Sequence, residues 1–180
     1  ALTRFYLVNN DLTPRLAAAG VRLGGILALS AFISASAAAL AATRPPWPWA
    51  RSLPRSSRRR VLDDAFLLGG LGAIAAIPSW ILGFPAAVFV LAPLPFLAVR
   101  AAALMRGGDE SRFGIWGKSL LEGFLIACLA ALLAPAAILA AALAAPVLRD
   151  AARRERAMKV SRWDKLRGIA AGDPLSWSER

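Results

Sequence analysis

Histidine is absent from the 180-residue chain, and cysteine occurs once. The first absence removes the commonest general base, the usual axial haem ligand and a principal zinc ligand. The second, a lone Cys128, forbids an intrachain disulfide and any multi-cysteine metal site, and reads as a small buried hydrophobe. Acidic residues are scarce, 11 against 22 Lys and Arg, and none are paired at a spacing suited to acid–base or metal chemistry. Lysine stands only at Lys118, Lys159 and Lys165, so Ser30, Ser34 and Ser36 have no base to make one of them a nucleophile. The Gly69-Gly70-Leu71-Gly72 run is not a phosphate loop, because no Lys-Ser/Thr follows it and no strand precedes it. These absences point away from an enzyme: no catalytic residue, cofactor or metal is expected.

Charge is also almost absent from three long stretches. Leu23–Ala42, Ala65–Val99 and Leu120–Leu148 are almost wholly apolar, and each reaches the roughly 18 residues needed to cross about 30 Å of hydrocarbon. Composition agrees: 58% of residues are hydrophobic, against about 45–50% apolar residues in soluble domains. The expected fold is an all-α integral membrane protein with three to four transmembrane helices and a basic C-terminal extramembrane helix. The expected organisation is a single membrane domain: a polar start at 1–16, a first span at 17–43, a Pro/Trp/Arg loop at 44–64, a span or hairpin at 65–99, a loop at 100–118, a last span at 119–148 and a basic tail at 149–180. Residues 1–16 lack the basic start, apolar core and cleavage site of a secretory signal. A chain beginning at Ala1 fits either a trimmed methionine or a removed targeting segment.

The net charge of +11 invites a nucleic-acid reading. Such binders gather basic residues on a face beside groove-reading or aromatic elements, whereas these flank apolar stretches, as the positive-inside rule and headgroup attraction both require. Nucleic acid is therefore not an expected partner. Anionic phospholipids are, and the candidate headgroup or partner contacts are Trp47, Trp49, Arg51, Arg55, Arg58, Arg59, Arg60, Arg153, Arg154 and Trp163. Arg22, at the edge of the first stretch, is placed to snorkel to the same headgroups.

Local signals mark the helix ends. Thr13-Pro14 predicts a helix start, and the pattern then runs unbroken to Thr43 before Pro45 and Pro46 stop it. Asp63-Asp64 suits the cap of the second helix. Pro78, Gly83, Pro85, Pro93 and Pro95 interrupt the second stretch, leaving a hairpin through Gly83-Phe84-Pro85 in competition with one bent, tilted span. The hairpin satisfies the prolines but puts the Arg44–Arg60 loop and the basic tail on opposite sides; the single span does the reverse. Ser119 and Glu122 match a capping box at the start of the third helix, with an ion pair to a partner protein as the alternative role of Glu122. Pro135 marks a kink or a turn. Beyond it, Asp150/Arg154 and Glu155/Lys159 have the spacing of solvated helical ion pairs.

Small residues recur at every fourth position. Ser30, Ser34 and Ala38, then Gly69, Gly72 and Ala73, then Gly123, Ala127 and Ala131 are the expected helix-packing positions, since small faces let helix backbones approach closely. The function expected from this pattern is a non-catalytic accessory subunit of a large membrane assembly, packing against other membrane protein subunits. A bioenergetic complex, of respiratory-chain or ATP-synthase type in the mitochondrial inner membrane, is favoured over a bacterial cytoplasmic or other organelle membrane. The alternative is a small transporter or channel subunit working as an oligomer.

Overall fold

A computed structural model describes residues 14–43, 56–106 and 112–170, and their side chains except those of Pro14, Leu82, Arg112 and 158–170. Every element among them is helical: α1 (Pro14–Thr43), α2 (Ser57–Ala75), a 3₁₀ segment (Ile77–Leu82), α3 (Phe84–Leu91), α4 (Leu94–Arg106), α5 (Arg112–Leu132), α6 (Pro135–Ala142) and α7 (Ala144–Ala170). Helix α1 starts and stops where the Pro14 and Thr43 signals put it.

The described residues contain five stretches of helix long and apolar enough to cross a membrane, not three or four: Arg15–Thr43, Ser57–Ile81, Phe84–Arg106, Phe113–Leu132 and Pro135–Ala157. Two breaks make the difference. The second apolar stretch folds into a hairpin at Gly83, whose φ of 106° and ψ of 156° belong to a region that a Cβ makes costly for other residues. The third stretch also divides, at Leu133 and Ala134, because Pro135 has no N–H to donate back to Ala131. Within the third span, Pro93 and Pro95 likewise deny donors to the preceding turn and separate α3 from α4 at Ala92-Pro93.

Two helix starts lie earlier than expected. Ser56, not Asp63-Asp64, caps α2, its side chain accepting from the Arg59 N–H at 3.3 Å. Helix α5 begins at Arg112, so Ser119 and Glu122 lie well inside it and form no N-terminal capping box. In both cases the helix begins before apolarity does, through residues whose side chains are polar but whose backbone is not interrupted.

Consecutive spans run antiparallel. Along α2 and α4, Asp64 meets Arg106, Gly69 faces Ala98 and Gly72 faces Leu94, so one number rises as the other falls. Along α1 and α5, the most extensive pairing in the bundle, Ser30 lies on Gly123 while Ile26 is buried with Ala127 and Ala130. Helix α7 lies against α2 and α4. The interior is built from small and medium residues, among them Ile26, Ile33, Ala37, Leu68, Ala101 and Ala127. Large apolar side chains point outward instead, Phe66 being 75% and Leu132 83% exposed. In water that arrangement would be unfavourable over the whole circumference of the bundle, whereas lipid tails solvate it without cost.

The alternation of five such segments puts Thr43, Ser57, Arg106 and Glu155 at one end of the bundle and the turns at 76–83 and 133–134 at the other. Arg58, Arg59, Arg60, Arg106, Arg153, Arg154 and Arg156 all belong to the first end. Both turns at the second end are uncharged. A hairpin in the second stretch and a break in the third thus reconcile the prolines with the charge bias, which neither three nor four crossings can do.

Candidate functional site

The predicted packing positions fall largely at helix contacts. Ser30 and Ser34 are each 1% exposed, and a methyl built on Gly123 would fall on the Cβ and Oγ of Ser30. Glycine at 123 is what lets α1 and α5 come this close. The two hydroxyls do not bridge the helices: Ser30 Oγ donates to the Leu27 carbonyl at 2.9 Å and Ser34 Oγ to the Ser30 carbonyl at 2.6 Å, satisfying themselves on their own helix. Gly72 is buried against Leu94 and Ile33, and Gly69 faces the Ala98 methyl at 3.8 Å. Ala127 is fully buried, Ala38 and Ala131 are half-buried, and Ala73 is exposed on the outside of α2. Cys128 is half-buried.

Two charge clusters carry more chemical information than the small-residue rows. In the first, Arg100 of α4 grips Glu122 of α5 side-on: Nε donates to Oε2 at 2.8 Å and to Oε1 at 2.9 Å, and Nη2 donates to Oε1 at 2.7 Å. Both side chains keep roughly a quarter of their surface exposed, 29% and 27%, between the outward-pointing Leu121, Phe124 and Leu125. Glu122 therefore has an intrachain partner. Arg100 was not among the predicted site residues, since it follows Val99 and looks like the end of the second apolar stretch. A signal did exist: Arg100 and Glu122 are opposite charges on consecutive helices joined by the short 107–111 connection, which favours an antiparallel pair.

The second cluster lies at the arginine-rich end. Arg106 Nε contacts Asp64 Oδ2 at 2.6 Å, while Glu155 Oε1 has Arg106 Nη1 at 3.6 Å and Arg60 Nη1 at 3.8 Å. Glu155 is 1% and Arg60 4% exposed. This set ties α2, α4 and α7 together, and it reverses two expectations. Arg60 points into the bundle, and Glu155 is not part of a solvated pair because its face of α7 is the one that packs on α2. Asp150 and Arg154 do form the exposed i, i+4 pair, at 2.7 Å.

Of the other headgroup candidates, Arg58, Arg59, Arg153 and Arg154 are exposed. Trp47, Trp49, Arg51 and Arg55 lie outside the described residues, and Trp163 belongs to α7 without a described side chain. Arg22 places its guanidinium 4.3 Å from the centre of the Phe89 ring, a cation–π contact that holds α1 to α3. Two grooves open on the outside. One, of about 410 Å³, runs between the Gly20–Phe32 part of α1 and the turn at Ala75–Ser79; the other, of about 240 Å³, lies between α2 and α4. No group of three or more Cys, Asp or Glu able to hold a metal ion occurs among the described residues.

The bundle and its two charge clusters define a helical protein with a lipid-compatible exterior. No family model matches the chain, and no curated protein or solved structure matches it either.

Proposed function

We propose that the chain is a non-catalytic accessory subunit of a larger membrane assembly, packing against other membrane protein subunits and contacting anionic lipid at its arginine-rich end. The Arg100–Glu122 pair carries the reading. Ionisable side chains at membrane depth nearly always face a protein interior or a water-filled cavity, and a charged residue at a helix centre costs about 2.5–3.5 kcal/mol on insertion scales. This pair keeps 29% and 27% of its side-chain surface exposed between Leu121, Phe124 and Leu125, with Lys118 one turn before Glu122 on the same helix. A neighbouring protein helix laid across the α4–α5 seam would shield it at lower cost than lipid tails. A respiratory-chain or ATP-synthase host in the mitochondrial inner membrane is the first to test, by association alone, because such assemblies carry small non-catalytic helical chains.

Native electrophoresis in mild detergent, followed by mass spectrometry of the bands, tests the proposal. The expected result is co-migration with a complex many times the mass of this chain. Migration as a discrete small homo-oligomer would overturn it and favour the channel alternative, in which the copies themselves cover the pair. In that case the purified protein should carry an ion flux into liposomes that Glu122→Gln abolishes.

A further inference from the structure

The groove between α2 and α4 is apolar throughout and open to the outside, with Leu62, Phe66, Gly69, Gly70, Pro95 and Ala98 among its walls. Gly70 leaves it wide, since a methyl there would meet nothing within 4 Å. The rim at one end is cationic. Arg58 stands one turn before Leu62 on the same row of α2, Arg59 stands beside it, and both are exposed at the arginine-rich end of the bundle. Asp63 lies one turn beyond Arg59 and lowers the charge on that side; Asp64 is held by Arg106 and Arg60 points inward toward Glu155.

We infer that this groove seats an acyl chain of an anionic phospholipid whose headgroup phosphate rests on Arg58 and Arg59. The inference rests on the membrane reading of the five helices, not on membership of an assembly. Dimensions and charge agree on the occupant. From Leu62 to Gly70 the helix advances about 12 Å, close to the roughly 15 Å of one leaflet's hydrocarbon, and the arginines then fall at headgroup level. A soluble anion would use the rim and leave the apolar floor unfilled, whereas a phospholipid uses both.

Native mass spectrometry of the full chain in mild detergent tests this by titrating phosphatidylglycerol and phosphatidylcholine of identical acyl chains. Two arginines beside an anionic headgroup supply a preference of about thirtyfold for phosphatidylglycerol. The double variant R58Q/R59Q should lose that preference while still retaining either lipid weakly. Gly70→Leu, which fills the groove from an open position and raises helix propensity, should lower retention of both lipids and leave the headgroup preference intact. Equal retention of the two lipids by the unaltered chain would overturn the inference, as would unchanged selectivity in the arginine variant or unchanged retention in Gly70→Leu. Displacement of the lipid by inorganic phosphate alone would also overturn it. Circular dichroism of each variant separates lost binding from lost fold, and the two arms depend on different residues, so one misfolded variant leaves the other decisive. Failure here leaves co-migration with a large complex unaffected, so the two proposals fail separately.

Discussion

Removing one half of the Arg100–Glu122 pair should cost much more than removing both. When a buried pair is broken, the surviving charge is left uncompensated, at about 3–5 kcal/mol, while replacing both partners by apolar residues of similar volume is often neutral or stabilising. Here the side chains are 29% and 27% exposed, and Arg100 lies about 9 Å along the helix from the end of α4 at 1.5 Å per residue, so its guanidinium can snorkel part of the way out. Those two reliefs reduce the expectation to about 2–3 kcal/mol for Glu122→Leu and for Arg100→Leu, with the double variant within about 1 kcal/mol of the unaltered protein. The coupling energy from the complete cycle, the double variant's change less the sum of the two single changes, is then about 4–6 kcal/mol in magnitude. Unfolding by sodium dodecyl sulfate in mixed micelles, read by far-ultraviolet circular dichroism, gives the four stabilities. A coupling below about 0.5 kcal/mol, the level of solvent-exposed pairs, would show that the side-on geometry has no energetic weight and that the seam needs no cover. The double variant also serves the assembly question, because it should fold yet associate less well with a partner that presents a polar group to the pair.

Four further outcomes follow from particular contacts. Gly83→Ala should destabilise by about 1–3 kcal/mol, since the φ of 106° at this turn is unfavourable for a Cβ, and detergent-unfolding midpoints will register it. Gly123→Val forces methyls onto Ser30 and should cost about 1–3 kcal/mol or more; Ser30→Gly in the same chain should recover part of the loss, and no recovery would mean that the α1–α5 approach is not set by this contact. Glu155→Leu removes the buried carboxylate shared by Arg60 and Arg106 and should cost about 3–5 kcal/mol, whereas Asp150→Leu, which breaks an exposed pair on the same helix, should change stability by less than about 0.5 kcal/mol. In a Cys128→Ser background, single cysteines at Ser56 and Arg156 should react with an impermeant maleimide from one face of a vesicle and a cysteine at Ser79 only from the other; labelling of all three from one face would disprove the five-segment alternation.

The sequence revealed breaks more readily than partners. Pro14, Thr43, Gly83 and the prolines that follow act on their own backbone, so their effect can be read from a few residues, and the helix bounds fall close to where those residues stand. Pro135 belongs to the same class, but it lies inside one unbroken apolar run, and composition alone did not say that Leu133-Ala134 ends one helix while Pro135 begins another. The small-residue rows were legible at Ser30, Gly72 and Gly123 because a tight crossing needs them; Ala73 follows the same spacing and faces outward, because spacing fixes a row but not which neighbour that row meets. Arg100–Glu122 and Arg60–Glu155 depend on which helices are adjacent, a property of the whole bundle. Without that adjacency, Glu122 looked like a cap, Glu155 like a surface residue, and Arg100 like the edge of a span.

The bundle is held by two different kinds of contact, and only some of its helices use both. Between α1 and α5 the attraction is close approach of small residues, with Ser30 and Ser34 satisfied within α1 and therefore adding no polar demand to the crossing. Between α2, α4 and α7 charge, concentrated at the arginine-rich end around Glu155, adds to apolar packing such as Gly69 against Ala98 and Gly72 against Leu94. The two respond differently to surroundings, since van der Waals packing is insensitive to ionic conditions while an ion pair depends on what covers it. Glu155, at 1% exposure, is covered by the chain's own helices. Arg100–Glu122 is the cluster that the chain leaves incompletely covered, and it sits on α4 and α5, where the two modes of packing meet. If a partner helix docks anywhere on this bundle, that seam is where its arrival changes the energy most: it exchanges a polar pair facing lipid for one enclosed in protein, and a purely apolar face elsewhere offers no comparable gain.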